Sequence, residues 1–114
     1  MQLDITPLDD GAGVLVTIDG EHLDAGNTVA FKALIQPCLD QHALVVVDMS
    51  RLRFVDSSGL GAMLSCLRHM NNKQGQLMLL ALSKPVRSLF ELVRMHRIFA
   101  IYNDLNEAMA SVAH

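Results

Sequence analysis

The chain has 114 residues, 51% hydrophobic and 18% charged, with a formal net charge of -3. That length suits one domain with a modest core, and the balance excludes both a disordered polymer and a nucleic-acid binder, which would carry a basic stripe. The opening Met1-Gln2-Leu3-Asp4 is polar and acidic, so no secretory leader is expected, and no apolar run approaches the ~20 residues of a membrane span; the expected location is cytoplasmic.

Leu3 and Ile5 suit a short first strand. Asp9-Asp10-Gly11-Ala12-Gly13 is turn-rich and returns the chain into Val14-Leu15-Val16-Thr17-Ile18, whose alternation suits a half-exposed strand. Asp24 is then expected to cap a helix carrying Phe31, Leu34, Ile35, Cys38 and Leu39 on one face. Pro37 removes a backbone hydrogen bond there and should kink or shorten that helix. Leu44-Val45-Val46-Val47-Asp48-Met49 is short, rich in β-branched residues and free of polar alternation, the pattern of a strand covered on both faces.

Next comes Phe54-Val55-Asp56-Ser57-Ser58-Gly59-Leu60-Gly61, after which Leu60, Met63, Leu64 and Leu67 form the stripe of an amphipathic helix. Two hydroxyls therefore stand where a loop enters a helix, an end that presents unpaired N–H groups and tolerates an anion. One cap needs one Ser, Thr, Asp or Asn, yet three candidates stand in a row. The two glycines behind them each cost a helix about 1 kcal/mol against alanine. Helix stability alone does not explain that composition, which implies close backbone approach by something else.

The helix should stop near Asn71-Asn72-Lys73-Gln74-Gly75, with Gly75 and the asparagines as the signal. Residues 77–82 form another apolar strand. Ser83 is placed to cap the next helix, with Pro85 in its first turn and Val86, Leu89, Phe90 and Val93 as its stripe. Residues 99–102 form a last short strand, and Asn103 is placed to cap a final helix with stripe Leu105, Ala108, Met109 and Val112. Strands alternating with helices imply parallel pairing through right-handed crossovers, and the opening hairpin makes the sheet mixed. Seven methionines and five aromatic residues suggest a core filled by flexible side chains, with Met63, Met70 and Met109 as packing or rim residues.

Cys38 and Cys66 fall on apolar helix faces and read as buried free thiols. Apart from Cys38 and His42, the five histidines form no i, i+4 pair with each other or with cysteine, and a lone pair supplies too few ligands, so no metal site is expected. Arg87, Arg94 and Arg97 read as a solvated helix face beside Glu91. Enzymatic readings find little support. Neither Ser57 nor Ser58 has a glycine two residues before it, as a hydrolase elbow requires. Gly59-Leu60-Gly61 lacks the third glycine of a dinucleotide fingerprint, and no Gly-Lys-Ser/Thr loop is present. Asp24, Asp48 and Asp56 could converge at the strand ends, but capping and partner contacts account for them more simply. No catalytic residue, cofactor or metal is assigned.

From Val47-Asp48-Met49-Ser50 through Phe54-Val55-Asp56-Ser57-Ser58-Gly59-Leu60-Gly61 the chain closely resembles the signature of anti-sigma factor antagonists, the stand-alone members of the STAS family. Gly20-Glu21-His22-Leu23-Asp24-Ala25 is similar to the segment before the family's first helix, with Glu21 and His22 lengthening the approach to Asp24. Ser83-Lys84-Pro85-Val86-Arg87-Ser88-Leu89-Phe90 is similar to a second conserved connection, and Ile98-Phe99-Ala100-Ile101-Tyr102 to the last strand. The resemblance implies an α/β fold over residues 1–114, one STAS-type domain. Its sheet would be small, mixed and mostly parallel, with about five strands and about four helices largely on one face.

The function it implies is non-enzymatic. The unphosphorylated chain would bind an anti-sigma factor that is also a serine kinase of the histidine-kinase-like ATPase fold, freeing a sigma factor. Phosphorylation would break the complex, and a metal-dependent serine phosphatase would restore it. The serine after the aspartate, Ser57, is the implied acceptor, with Ser58 as the alternative. Asp24, Asp56, Ser57, Ser58, Gly59 and Leu60 form the implied partner surface. Ser58, nearer the first turn, is read as the better cap. No nucleic acid or membrane partner is expected, and the free protein is expected to be a monomer. Three other readings stand beside this one: an adaptor in a lipid-transport or signalling assembly, a partner-switching regulator whose target is not a sigma factor, and a small-ligand or nucleotide-binding module.

Overall fold

A computed structural model of the chain describes residues 1–8, 11 and 13–112. In order they form β1 (Gln2–Pro7), β2 (Gly13–Asp19), β3 (His22–Leu23), α1 (Thr28–Gln41), β4 (Leu44–Asp48), β5 (Phe54–Val55), α2 (Ser57–Asn72), β6 (Gln76–Leu80), α3 (Lys84–Leu92), a 3-10 turn (Met95–Arg97), β7 (Ala100–Tyr102) and α4 (Leu105–Val112). Five strands make one sheet in the order β1-β2-β4-β6-β7, and β3 pairs with β5 in a separate two-stranded sheet. Only β1 runs antiparallel, as the hairpin partner of β2. The turn expected at residues 9–13 lies largely outside the described residues. Within them, Gly11 is left-handed at φ 70°.

The parallel strands follow one another across the sheet without reversal. Crossovers of one hand that all step the same way place their helices on the same face. That face carries α1, α2 and α3: Val45, Val47, Leu77 and Leu79 pack there against Phe31, Ile35, Met63, Cys66, Met70, Val86 and Phe90. The alternate residues Leu44, Val46, Met78 and Leu80 point the other way and are covered by Ala108 and Met109 of α4. Cover on both sides explains why residues 44–49 read as an unbroken apolar run. Cys38 and Cys66 are free and buried; burial pushes both thiols up, that of Cys66 to about 11. They pack rather than react.

The helix ends differ from the sequence expectation in several places. α1 starts at Thr28, with Asn27 at its N-cap, so Asp24 does not cap it. It runs four residues past Pro37, and Leu34 is exposed rather than packed. Ser83 does precede α3, but its hydroxyl donates to the Leu52 carbonyl and caps nothing. Val93 is exposed, and Arg94 is left-handed at φ 63°. Arg87, Arg94 and Arg97 therefore lie on α3, past its end and in the 3-10 turn, not on one helix face. At α4 the cap is Asp104, whose Oδ1 accepts from the Glu107 N–H at 2.8 Å, while Asn103 donates to the Glu107 carboxylate.

α2 ends one residue earlier than its glycine implied. The left-handed residue is Gln74, at φ 62°. The Gln74 N–H donates to Asn71 and the Gly75 N–H to Met70 at 2.7 Å, the paired bonds of a Schellman ending. Gly75 is favoured for another reason: a Cβ there would crowd Met70 Cε at 2.8 Å and the Ala43 carbonyl oxygen at 3.0 Å. Glutamine in the left-handed region carries a steric cost that glycine lacks. Gln74→Gly should therefore stabilise the fold by about 0.5–1 kcal/mol, after the greater unfolded-state freedom of glycine is subtracted. Thermal unfolding should show a rise of about 2–5 °C. An unchanged or lower melting temperature would refute this account of the α2 ending.

Candidate functional site

Two short loops meet through the β3–β5 pair. His22 pairs with Phe54 and Leu23 with Val55 in parallel register. The Glu21 carbonyl accepts from the Arg53 and Phe54 N–H groups, and the Leu23 carbonyl accepts from the Asp56 N–H at 3.3 Å. Leu23 and Val55 are buried while His22 and Phe54 are exposed, so the miniature sheet seals one face on the core and opens the other. Glu21 and His22, which lengthen the approach to Asp24, thus form the strap that holds the two loops together.

Asp56 joins the loops chemically. It is the N-cap of α2: Oδ1 accepts from the Gly59 N–H at 2.9 Å, and Oδ2 accepts from the Ala25 N–H at 3.1 Å in the other loop. The Gly59 N–H holds its carboxyl below the usual carboxylate range; slight desolvation opposes this, and the Ala25 and Ser58 N–H groups add to it. Asp56 is therefore ionised at neutral pH. Asp24 folds its own loop: Oδ1 accepts from the Gly26 N–H at 2.9 Å, and the Asp24 N–H donates to Asn27 Oδ1. Asn27 Nδ2 in turn donates to the His22 carbonyl. The Asp24 side chain remains 28% exposed, beside the exposed imidazole of His22 at 3.9 Å.

Ser57 and Ser58 are the first two residues of α2, and both are exposed. Among the described residues neither hydroxyl takes part in a hydrogen bond. The expectation that Ser58 caps α2 is overturned, because Asp56 occupies the cap. Ser58→Ala should be close to neutral for stability. Gly59 is interior: a Cβ there would lie 2.3 Å from the Leu23 carbonyl oxygen and 2.7 Å from Val55 Cγ1. The close approach implied for this glycine comes from the chain itself. Leu60 is half-buried against the main core. Gly61 differs, since among the described residues nothing beyond its own helix backbone lies within 4 Å of a Cβ built on it.

Of the six residues expected at the partner surface, the structure brings Asp24, Asp56, Ser57 and Ser58 to one place. It turns Gly59 inward and Leu60 partly so. Asp48, at the end of β4, accepts from the Ser50 N–H and shapes its own turn. Phe54, 55% exposed, and the exposed Gly61 stand outside that expected set of six. A cleft of about 400 Å³ lies elsewhere, between the hairpin and α4, lined by Thr6, Pro7, Leu8, Leu15, Leu105, Asn106 and Met109. Among the described residues its lining includes no acid, base or thiol.

Comparison with known proteins gives a family model, described as STAS domain, that matches residues 5–108. The chain is 33% identical over 63 residues to the anti-sigma F factor antagonist of Paenibacillus polymyxa, an overlap of 54% of each chain; it therefore spans about half the length of that relative. Among solved structures, the anti-sigma factor antagonist SpoIIAA in its unphosphorylated form superposes with a TM-score of 0.77 at 24% identity, covering 97% of this chain and 96% of that one. The phosphorylated form of the Bacillus protein gives 0.71 at 23%, covering 98% and 100%. An anti-sigma factor antagonist from Mycobacterium paratuberculosis gives 0.83 at 20%, covering 97% and 92%. At such identities the structural likeness establishes the fold.

Proposed function

The chain belongs to the STAS domain family, its match running over residues 5–108, and from that premise we propose that it is an anti-sigma factor antagonist switched by phosphorylation of Ser57. In its unphosphorylated form it binds an anti-sigma factor with serine kinase activity and so releases a sigma factor; phosphorylation dissolves the complex, and a metal-dependent phosphatase resets it. The protein acts by binding, without catalysis of its own. The observation that carries this reading is the construction of the α2 N-terminus. An ionised Asp56 is locked into the fold by two backbone N–H groups, and two exposed hydroxyls, engaged by no described residue, stand directly after it. A phosphate added there changes the charge of the surface without removing a bond that the fold uses. The names of the relatives, and the existence of SpoIIAA in both phosphorylation states, support the same reading.

The test is to mix the chain with its cognate kinase, first with a non-hydrolysable ATP analogue and then with ATP. A stable complex should form in the first case and decay in the second as phosphate accumulates. Failure of the unphosphorylated chain to bind the kinase would end the proposal. Asp24 supplies a second handle. Asp24→Asn keeps an acceptor for the Gly26 N–H and removes only the charge, so the melting temperature should hold within about 2 °C while kinase affinity falls several-fold. Asp24→Lys should weaken binding further. A large loss of thermal stability in Asp24→Asn would show that this residue is structural.

A further inference from the structure

The two glycines of the α2 first turns have different explanations. Gly59 is dictated from within by the Leu23 carbonyl, whereas Gly61 is exposed with open space where its Cβ would be. Glycine disfavours a helix interior relative to alanine. No packing by the described residues compensates at Gly61. Its position relative to the hydroxyls is informative: it follows Ser57 by four residues and Ser58 by three, spacings that put side chains on one face about 6 Å apart. A second residue close by is equally unexplained by the fold. Phe54 leaves a phenyl ring 55% exposed on the open face of the β3–β5 pair, two residues before Asp56.

We propose that Gly61 is where the main chain of the kinase rests on α2 and that Phe54 is the apolar anchor beside it, so that these two residues add affinity to that of Asp24 while switching resides in Ser57. This rests on the reading of Ser57 as phosphoacceptor. The occupant follows from that reading by geometry. A specific interface covers about 800 Å² on each partner, a disc of roughly 16 Å radius. Phe54 is three residues from Ser57, at most about 11 Å along the chain, and Gly61 is one helical turn away. An enzyme that delivers phosphate to Ser57 therefore covers both. The matching partner surface has an apolar pocket for an aromatic ring, a flat stretch of main chain for Gly61, and a cation facing Asp24 and Asp56. Buried aromatic anchors carry a large share of interface energy, and a backbone can sit flush on a helix only where no Cβ stands up.

The experiment is titration calorimetry with the purified kinase and a non-hydrolysable ATP analogue, alongside thermal unfolding of each variant. Gly61→Ala should raise the melting temperature by about 2–4 °C yet weaken binding tenfold or more. Phe54→Ala should leave the melting temperature within about 2 °C and weaken binding by a similar factor. Leu92→Ala, at a still more exposed apolar residue at the C-terminal end of α3, should bind within twofold of wild type. If both site variants bind like wild type while the wild-type chain is bound and phosphorylated, this inference is wrong and the proposed function stands. A fall in melting temperature for Gly61→Ala would show an internal reason for the glycine and overturn its role. If the wild-type chain does not bind the kinase, both readings fall together.

Discussion

Gly59→Ala should be the most destabilising single methyl group that can be added to the α2 N-terminus, lowering the melting temperature by about 10 °C. The added Cβ would meet the Leu23 carbonyl oxygen at 2.3 Å, the Leu23 carbonyl carbon at 3.1 Å and Val55 Cγ1 at 2.7 Å. Two of these three atoms are backbone, so no rotamer change relieves the clash. The carbonyl in question accepts the Asp56 N–H, and Gly59 itself donates to Asp56 Oδ1. Separating α2 from β3 thus loosens both bonds together. Overpacking of this kind costs about 1–3 kcal/mol where neighbours can shift, and occasionally more; the upper end applies to a backbone contact. Circular dichroism melts of Gly59→Ala beside Gly61→Ala would be decisive, because one methyl group two residues further along the same helix should have the opposite sign. A drop of less than about 2 °C for Gly59→Ala would mean that β3 yields freely and that the loop carrying Asp24 is not rigidly tied to α2.

Much of this architecture is legible in the residues. Leu44 to Asp48 and the strand at residues 76–80 announce themselves because cover on both faces removes the polar alternation that would otherwise hide a short strand. The α2 stripe is equally plain: Met63 on it is buried, and Leu60, Leu64 and Leu67 are partly buried against the same core. The helix ends are not legible. Asp56, Ser57 and Ser58 all cap well in isolation, as do Asn103 and Asp104, and the choice between neighbours depends on what else each side chain touches. Ser83 shows the point: its hydroxyl is taken by Leu52, 31 residues away, a contact with no local signature. The β3–β5 pair is invisible for a related reason, since two residues per strand are too few to show a period. Yet that pair brings Asp24 to Asp56. Their proximity came from family resemblance, not from spacing. Phe54 had a signal that went unread: an aromatic residue next to the inward-facing Val55 must point outward if the segment is extended.

Ser57→Asp should fold like wild type and lose kinase binding on the order of 100-fold, whereas Ser57→Ala should bind persistently and accept no phosphate. Both variants should fold because the Ser57 side chain is exposed and the cap belongs to Asp56; an acidic residue in a first turn is favourable to the helix dipole. The loss of binding arises at the interface. A phosphoserine brings about -1.5 to -2 charges at neutral pH, set beside an Asp56 that backbone N–H groups keep ionised and near the partly exposed carboxylate of Asp24. Docking must strip water from this anion with two like charges beside it. A penalty of about 3 kcal/mol gives roughly 100-fold in affinity. Aspartate carries less charge and fewer acceptors than phosphate, so the phosphorylated chain should bind more weakly still. Ser58 enters as the internal comparison. It is as exposed as Ser57 and caps nothing, so Ser58→Ala should melt like wild type and still be phosphorylated. Phosphopeptide mapping after incubation with the kinase and ATP should place the phosphate on Ser57, the residue directly after the aspartate. Phosphate on Ser58 in the wild-type chain would move the switch by one residue and show that the assignment to Ser57 is wrong.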